Sequence, residues 1–375
     1  MRVLFWSDLF WPYIGGAEIV AAQLLPALTE RGYDFLVVTS HGYFDLPDEA
    51  RYRGVPVYRF PFRMALAAGN LDQFAETRRR LAALTRAFAP ELIHINGLGP
   101  SLLFHLGTAD SHAAPLLVTL HSARPKTAAG QDTLFSRILG AADWITCVSR
   151  ATLRETRQLA PTISPHSSLI HNALEVPPVS PRPLPIESPR LLCLGRLVHN
   201  KGFDVALTAL ALIVDRLPNV HLVIAGDGPE WPALEQQAAE LGLSKVVTFI
   251  GSVPPDGVPE LINSATVVVM PSRREGFGLV ALEAALMARP VVASRVGGLP
   301  EVVMDQRTGL LIEQDDSDGL AAAISLLLED PGVAARMGQA ARRHAQEMFG
   351  FKRCVNAFDA LYQRLIREAP CVGVR

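Results

Sequence analysis

Two glutamates, Glu275 and Glu283, stand eight positions apart in the stretch PSRREGFGLVALEAALMARPVVASRVGGLPE, residues 271–301. A Gly-rich turn, Glu275-Gly276-Phe277-Gly278, opens an amphipathic helical pattern that closes at Arg289-Pro290, and an apolar strand pattern and a second glycine pair, Gly297-Gly298, follow. At roughly 1.5 Å of rise per residue, eight positions cover about 12 Å of helix axis, less whatever the non-helical start shortens; a sugar nucleotide is built on that scale. If Gly276, Phe277 and Gly278 present unpaired N–H groups at the helix start, those groups and the macrodipole favour a pyrophosphate there. Glu275 then faces the sugar end and Glu283 the ribose. Taken alone, the pair is read equally well as a capping residue and a solvated position, because the helix dipole favours Glu near an N-terminus in any case.

Other residues of suitable chemistry fall at the carboxyl ends of strand patterns, where open parallel sheets gather their ligands. Gly195-Arg196 follows the apolar LLCL, and Lys201-Gly202 stands at a helix start. Two cations beside a turn suit two phosphates. Gly226-Asp227-Gly228-Pro229 ends the next strand pattern, and its glycines and proline satisfy a tight turn without any ligand. Gly15-Gly16-Ala17-Glu18 opens a helix after the first strand pattern, where glycine allows close backbone approach; it lacks the full G-x-G-x-x-G and is a weak dinucleotide signal. His121 stands directly after PLLVTL, a position that faces a cleft more often than a core, whereas His94 lies inside a strand pattern and reads as an interior histidine. Asp315-Asp316-Ser317-Asp318 resembles an acidic metal cluster but precedes a helix, where Asp and Ser are ordinary caps. No Ser-His-Asp spacing, HExxH or paired-cysteine metal pattern occurs.

These residues need two sets of elements to position them. Strand patterns at Val3–Trp6, Phe35–Thr39, Val55–Phe60, Leu92–Asn96, Leu116–Leu120, Trp144–Val148 and Ser168–His171 alternate with helical ones, the first of them Ala17–Arg31. A second series, Leu191–Leu194, Val220–Ala225, Val246–Ile250, Val267–Met270 and Val291–Ser294, includes helical stretches at Asp204–Val214 and Pro232–Leu241. Such alternation argues for parallel sheets covered on both faces. Between the two series lies PPVSPRPLPIESP, residues 177–189, which reads as a stiff, extended linker. The expected organisation is an α/β chain of two doubly wound, Rossmann-like domains: an acceptor-side domain at 1–176, the linker at 177–189, a nucleotide-sugar-binding domain at 190–350, and a helix at 351–375 that returns toward the first domain. A central cleft between the domains is expected.

A chain of 375 residues is long for a single core, and its net charge of −2 carries no nucleic-acid footprint. Cys147, Cys193, Cys354 and Cys371 have no metal spacing and read as buried thiols of a reducing compartment. The start MRVLFWSDLF does not read as a signal peptide, and no apolar run reaches the roughly 18 residues of a spanning helix. The expected location is the cytoplasm, with peripheral contact at the inner membrane face an open reading. The basic and aromatic stretch RYRGVPVYRFPFR, residues 51–63, could touch a membrane surface or an anionic acceptor, though an exposed strand and its turn is the favoured reading.

Together these motifs resemble the retaining glycosyltransferases of family 4, with the GT-B fold, over nearly the whole chain. The most specific match is E-G-F-G-L-V-x-L-E-A, from Glu275 through Leu279 to Glu283; GGAE at 15–18, VSR at 148–150, HNALEV at 171–176, GRLVHNKG at 195–202, AGDGP at 225–229 and GGLPEVV at 297–303 support it. His171-Asn172-Ala173 departs from the family's usual Asn-Gly turn. The resemblance implies that Arg196 and Lys201 neutralise a donor diphosphate, that Glu283 binds the ribose and Glu275 the transferred sugar, and that Gly276, Phe277, Gly278 and Leu279 line the donor. It also implies that His121 lies at the reaction centre and that Gly16 faces the phosphates or the acceptor. It implies no metal and no cofactor beyond the nucleotide-sugar co-substrate. The mechanism implied is a same-face displacement through an oxocarbenium-like state.

The expected activity is therefore transfer of a hexose-type sugar from a nucleoside diphosphate sugar to an acceptor hydroxyl. A lipid-linked acceptor and a soluble small molecule are both open. A sugar-nucleotide epimerase or phosphorylase on the same fold, or a non-catalytic nucleotide-sugar-binding subunit, are the alternatives. An epimerase needs no acceptor and a phosphorylase needs free phosphate or pyridoxal. A silent subunit has no reason to keep Glu275, Glu283, Arg196, Lys201 and His121 together.

Overall fold

The computed structural model describes all residues except 68, 70, 109–110, 123–133 and 370–375; Cys371 lies outside the described residues. The chain divides into two compact units, Met1–His171 with the C-terminal residues from Lys352, and Asn172–Phe351.

Unit 1 is built on eight strands: β1 (Arg2–Ser7), β2 (Asp34–Ser40), β3 (Glu49–Tyr52), β4 (Val55–Phe60), β5 (Leu92–Asn96), β6 (Leu116–Leu120), β7 (Trp144–Cys147) and β8 (Ser167–Leu169). Their order across the sheet is β3-β4-β2-β1-β5-β6-β7-β8, and every pair is parallel except β3–β4. Helices cover both faces, so the central strands are buried along nearly their whole length and read as mainly apolar runs. Leu4, Trp6, Ile93, Ile95 and Val118 pack into the core on one face. Residues between them in register, His94 and Asn96 on β5 and Thr119 on β6, turn to the other face.

On that other face lies the helix Phe351–Glu368. Tyr362, fully buried, places its hydroxyl 2.5 Å from His94 Nδ1, and the other ring nitrogen of His94 meets Thr119 Oγ1 at 2.7 Å. At the rim, Arg31 pairs with Asp359 at 2.8 Å and the Tyr33 hydroxyl donates to the same carboxylate at 2.7 Å. His94 is thus an interior histidine with both ring nitrogens satisfied, and burial depresses its pKa to about 3.

The basic and aromatic stretch of unit 1 resolves into the β3–β4 hairpin. Arg53 and Gly54 at its tip both take positive φ, as a tight two-residue hairpin turn requires. Two of its arginines have partners elsewhere in the unit: Arg59 is buried and donates to the Pro47 and Trp11 carbonyls, and Arg63, itself exposed, pairs with Asp8 at 2.6 Å. A strand and its turn describes the stretch, with Arg59 buried and Arg51, Arg53 and Arg63 exposed.

Unit 2 holds a six-stranded parallel sheet of β9 (Arg190–Leu194), β10 (His221–Ala225), β11 (Val247–Phe249), β12 (Val267–Met270), β13 (Val291–Ser294) and β14 (Gly309–Ile312), in the order β11-β10-β9-β12-β13-β14. The order turns back on itself between β9 and β12, the switch point at which a doubly wound sheet binds ligands. The Pro-rich stretch belongs wholly to this unit. Arg289, 1% exposed, donates to the carbonyls of Arg182 and Pro183, while Asn263 receives the Arg182 amide at 3.0 Å and donates to the Ser180 carbonyl. An extended segment without a sheet partner has orphaned carbonyls, and a buried guanidinium with five donors satisfies several of them. The segment is strapped to its own unit.

Candidate functional site

The carboxyl end of β9 turns at Gly195 and presents Arg196, whose side chain is exposed and makes no ion pair among the described residues. The turn is held from behind, where the Leu197 amide donates to the Asp227 carbonyl at 2.8 Å. The Gly226–Pro229 turn is therefore a buttress for the Arg196 turn. Five residues beyond Arg196, a short 3-10 turn over His199–Lys201 carries Lys201.

Lys201 meets Glu275. Its ammonium lies 2.5 Å from Glu275 Oε2, with side-chain exposures of 24% and 16%. An ammonium has three donors, so two are left for a ligand. Two glycines permit the encounter. Gly202, at φ 66°, lies so close to the chain leaving β12 that a Cβ would stand 2.0 Å from the Pro271 carbonyl oxygen; Gly297, at φ 52°, would place a Cβ 1.7 Å from the Glu275 carbonyl oxygen. Any side chain at either position pushes one half of the pair away from the other.

Arg273 fastens the same two loops. It sits in the loop of Glu275 and makes a two-pronged ion pair with Asp204, just beyond Lys201, at 2.9 and 2.7 Å. It also pairs with Asp315 at 2.6 Å and donates to the His199 carbonyl at 2.9 Å. The rigid fork of arginine suits this multiple attachment, which lysine could not reproduce. Asp315 is thereby accounted for as an ion-pair partner and Asp316 as the cap of the helix Ser317–Glu329, receiving the Gly319 amide at 2.8 Å. No group of three or more His, Cys, Asp or Glu suited to a metal ion occurs among the described residues.

Glu275 does not cap the helix that follows. That helix, Leu279–Leu286, is preceded by Gly278 at φ 100°, with no side-chain cap. Gly276, Phe277 and Gly278 therefore form the approach to the helix and Leu279 is its first residue. Phe277 is buried edge-on against Phe349 with ring centroids 5.3 Å apart, which anchors the loop. Glu283 lies in the second turn. It is recessed and makes no side-chain hydrogen bond among the described residues, and desolvation pushes its carboxyl up to about 7. A recessed carboxyl without a partner costs stability, and such a cost marks a functional position more often than a structural one.

Unit 1 holds the remaining two candidates. Gly16 is the first residue of the helix Gly16–Thr29, with Gly15 extended at its N-cap. His121 follows β6, and its Nε2 lies 2.8 Å from Asn96 Oδ1 at the end of β5. Burial depresses the pKa of His121 to about 4, so the ring is neutral at pH 7. The structure thus brings Lys201 and Glu275 into contact, sets Arg196 and Glu283 on the adjoining turn and helix of the same unit, and places His121 and Gly16 in the other unit. Reading the sequence missed Arg273, Asp204 and Asn96. The available signal was an arginine two residues before Glu275, with one acidic residue opening the helix after Lys201 and another at 315, which reads as a cap in the sequence but pairs with Arg273 in the structure.

Two doubly wound, mainly parallel sheets, the second with a cation–carboxylate pair at its switch point, fit a glycosyltransferase of the GT-B class. The comparisons agree with that class: the description "Glycosyl transferases group 1" matches residues 180–344 and "Glycosyltransferase Family 4" matches residues 14–176. The chain belongs to this group 1, family 4 set of glycosyltransferases. It is 33% identical over 344 residues to a D-inositol 3-phosphate glycosyltransferase of Acidothermus cellulolyticus, covering 80% of this chain and 75% of that one. It is 30% identical over 322 residues to the phosphatidylinositol N-acetylglucosaminyltransferase gpi3 subunit of Schizosaccharomyces pombe, covering 83% and 69%. In fold it is similar to a sucrose-phosphate synthase of Thermosynechococcus elongatus, with a TM-score of 0.85, 24% identity and coverage of 98% and 100%. It is also similar to the Anabaena protein HepE, solved with UDP and glucose, with a TM-score of 0.81, 23% identity and coverage of 97% and 100%.

Proposed function

We propose that this glycosyltransferase moves a hexose-type sugar from a nucleoside diphosphate sugar to an acceptor hydroxyl, with retention of anomeric configuration and without a metal ion. The observation that carries the reading is the Lys201–Glu275 contact at 2.5 Å, held by Gly202, Gly297 and Arg273 at the carboxyl ends of β9 and β12. A diphosphate gains charge as the glycosidic bond breaks, and preorganised cations lower that barrier because they do not reorganise during the reaction. Arg196, Lys201 and the start of the helix Leu279–Leu286 supply that positive potential, which is the part a divalent ion would otherwise play. Glu275 binds hydroxyls of the transferred sugar, Glu283 binds the ribose, and Gly276, Phe277, Gly278 and Leu279 line the donor. His121 and Gly16 serve the reaction from unit 1. The displacement takes place on one face of the sugar, and a leaving phosphate oxygen receives the proton of the acceptor hydroxyl, so no enzyme nucleophile is required.

The names of two relatives suggest an acceptor that bears inositol, either free as a phosphate or on a lipid. A lipid-linked acceptor would call for peripheral contact with a membrane; no described helix is long and apolar enough to cross one. The test is sugar transfer by the purified protein from a panel of nucleotide sugars, in EDTA, to inositol phosphate and phosphatidylinositol, with the product anomer read by NMR. The expected result is EDTA-insensitive transfer with the anomer of the donor. Strict dependence on added Mg²⁺ or Mn²⁺, or an inverted product, overturns the mechanism; release of an altered free sugar nucleotide overturns the transfer.

A further inference from the structure

The edge of His121 that bears Nε2 is turned into unit 1. Asn96 Oδ1 lies 2.8 Å from Nε2, and a Cβ on Gly97 would stand 3.7 Å from the neighbouring Cδ2. The same amide makes a second, longer contact at 3.5 Å, from Asn96 Nδ2 to the carbonyl oxygen of Ala17 in the first turn of the helix after the Gly15-Gly16 pair. A carbonyl can only accept, so the amide must present its NH₂ to Ala17 and its oxygen to His121. An amide oxygen can also only accept, so Nε2 of a neutral His121 must carry the proton.

We propose that Asn96 is the positioning residue for His121, fixing its ring in the Nε2–H tautomer and leaving Nδ1 as a hydrogen-bond acceptor for a hydroxyl of the bound substrate. The fold supports this assignment at each link. Asn96 is 8% exposed at the end of β5, and Asn96 pairs with Thr119 in the parallel register of β5 and β6, which brings His121 level with the strand's end. Nδ1 has no hydrogen-bond partner among the described residues. Burial keeps the ring uncharged at neutral pH, so the tautomer and not the charge decides what it offers. The chain from Ala17 to Asn96 to His121 also ties the Gly-Gly turn to the histidine, so displacement of the helix start is felt at the ring. A His121 that donated from Nδ1 would require a substrate acceptor; one that accepts there requires a donor, which a hydroxyl supplies.

The inference rests on the proposed role of His121, and its test separates the two. In the full-length ¹⁵N-labelled protein, two-bond ¹H–¹⁵N correlations identify the tautomer of His121, assigned by comparison with His121→Asn. The expected pattern is a protonated Nε2 and an unprotonated Nδ1, whether or not transfer is detected. Asn96→Leu, similar in size and without an acceptor, is expected to give mixed tautomers and to lower kcat by roughly tenfold, the scale of one oriented hydrogen bond, with a smaller change in KM. Asn96→Asp keeps an acceptor toward Nε2 and, at a pH above the raised pKa that a neighbouring carboxylate gives the ring, is expected to keep the tautomer even where its packing is altered. A wild-type His121 protonated at Nδ1, an Asn96→Leu protein with the wild-type tautomer, or an Asn96→Leu protein with the wild-type kcat overturns the assignment.

Discussion

Lys201→Ala and Glu275→Ala are each expected to reduce sugar transfer by about a hundredfold or more, on the order of 3 kcal/mol of lost transition-state stabilisation. In the proposed mechanism Lys201 faces the charge that grows on the leaving diphosphate, so its removal is expected to act on kcat as well as KM. Glu275→Ala is expected to act twice, by removing the proposed ligand for the sugar and by releasing the ammonium that Glu275 holds at 2.5 Å. The two substitutions share one contact and are therefore not additive: the double variant is expected to lose much less than the product of the two single losses. Steady-state rates of the four proteins form the cycle. Near-normal transfer by either single variant, or full additivity, contradicts the placement of the pair at the reacting sugar.

Glu283→Gln separates stability from binding. The folded-state carboxyl is raised to about 7 from an ordinary value of 4.5. Between those two values the folded protein keeps a proton that the unfolded chain has released, so stability falls as pH rises through this window and the whole cost is present above about pH 7. Glutamine has no proton to release and removes that cost. The ligand-free variant is expected to be more stable than the wild type at pH 8 by on the order of 2 kcal/mol, a figure discounted for the partial exposure of the residue. For a unit of this size that is a gain of roughly 4–8 °C in Tm, and it disappears near pH 4.5. Affinity for the donor is expected to fall at the same time, because glutamine presents one uncharged acceptor oxygen and an NH₂ where a carboxylate presents two charged acceptor oxygens to the ribose hydroxyls. Melting curves at the two pH values and nucleotide titrations check both signs. A variant that is less stable at pH 8, or that binds nucleotide as the wild type does, contradicts a functional carboxyl at 283.

What was legible in the chain follows from how each feature is encoded. Strands buried on both faces, such as Leu92–Asn96, Val267–Met270 and Val291–Ser294, are written as mainly apolar runs, and their limits coincide with the observed elements. The edge strand β3, with the sequence EARY, alternates between exposed and half-buried positions, and β14 is four residues between polar turns; neither has a pattern long enough to stand out. The turns that carry Arg196, Lys201 and Glu275 were legible from their glycines and charges. The contact between Lys201 and Glu275 was not, because the two residues are 74 positions apart and only the β9–β12 neighbourhood brings them together. Arg273 and Asn96 act through other residues, and such roles depend on geometry that no spacing in the chain records. The proline stretch was legible as extended and stiff, but its attachment to unit 2 depends on Arg289, a distant residue whose burial its charge would not suggest.

The central claim, that Arg196, Lys201, Glu275 and Glu283 of unit 2 form a nucleoside diphosphate site, is tested most directly by calorimetric titration of the full-length protein with UDP, GDP and ADP in EDTA. The predicted result is one-to-one binding of at least one of the three, weakened about tenfold or more in Lys201→Ala and much weaker for the matching monophosphate. Binding of none of the three, or equal affinity in the wild type and Lys201→Ala, would contradict it.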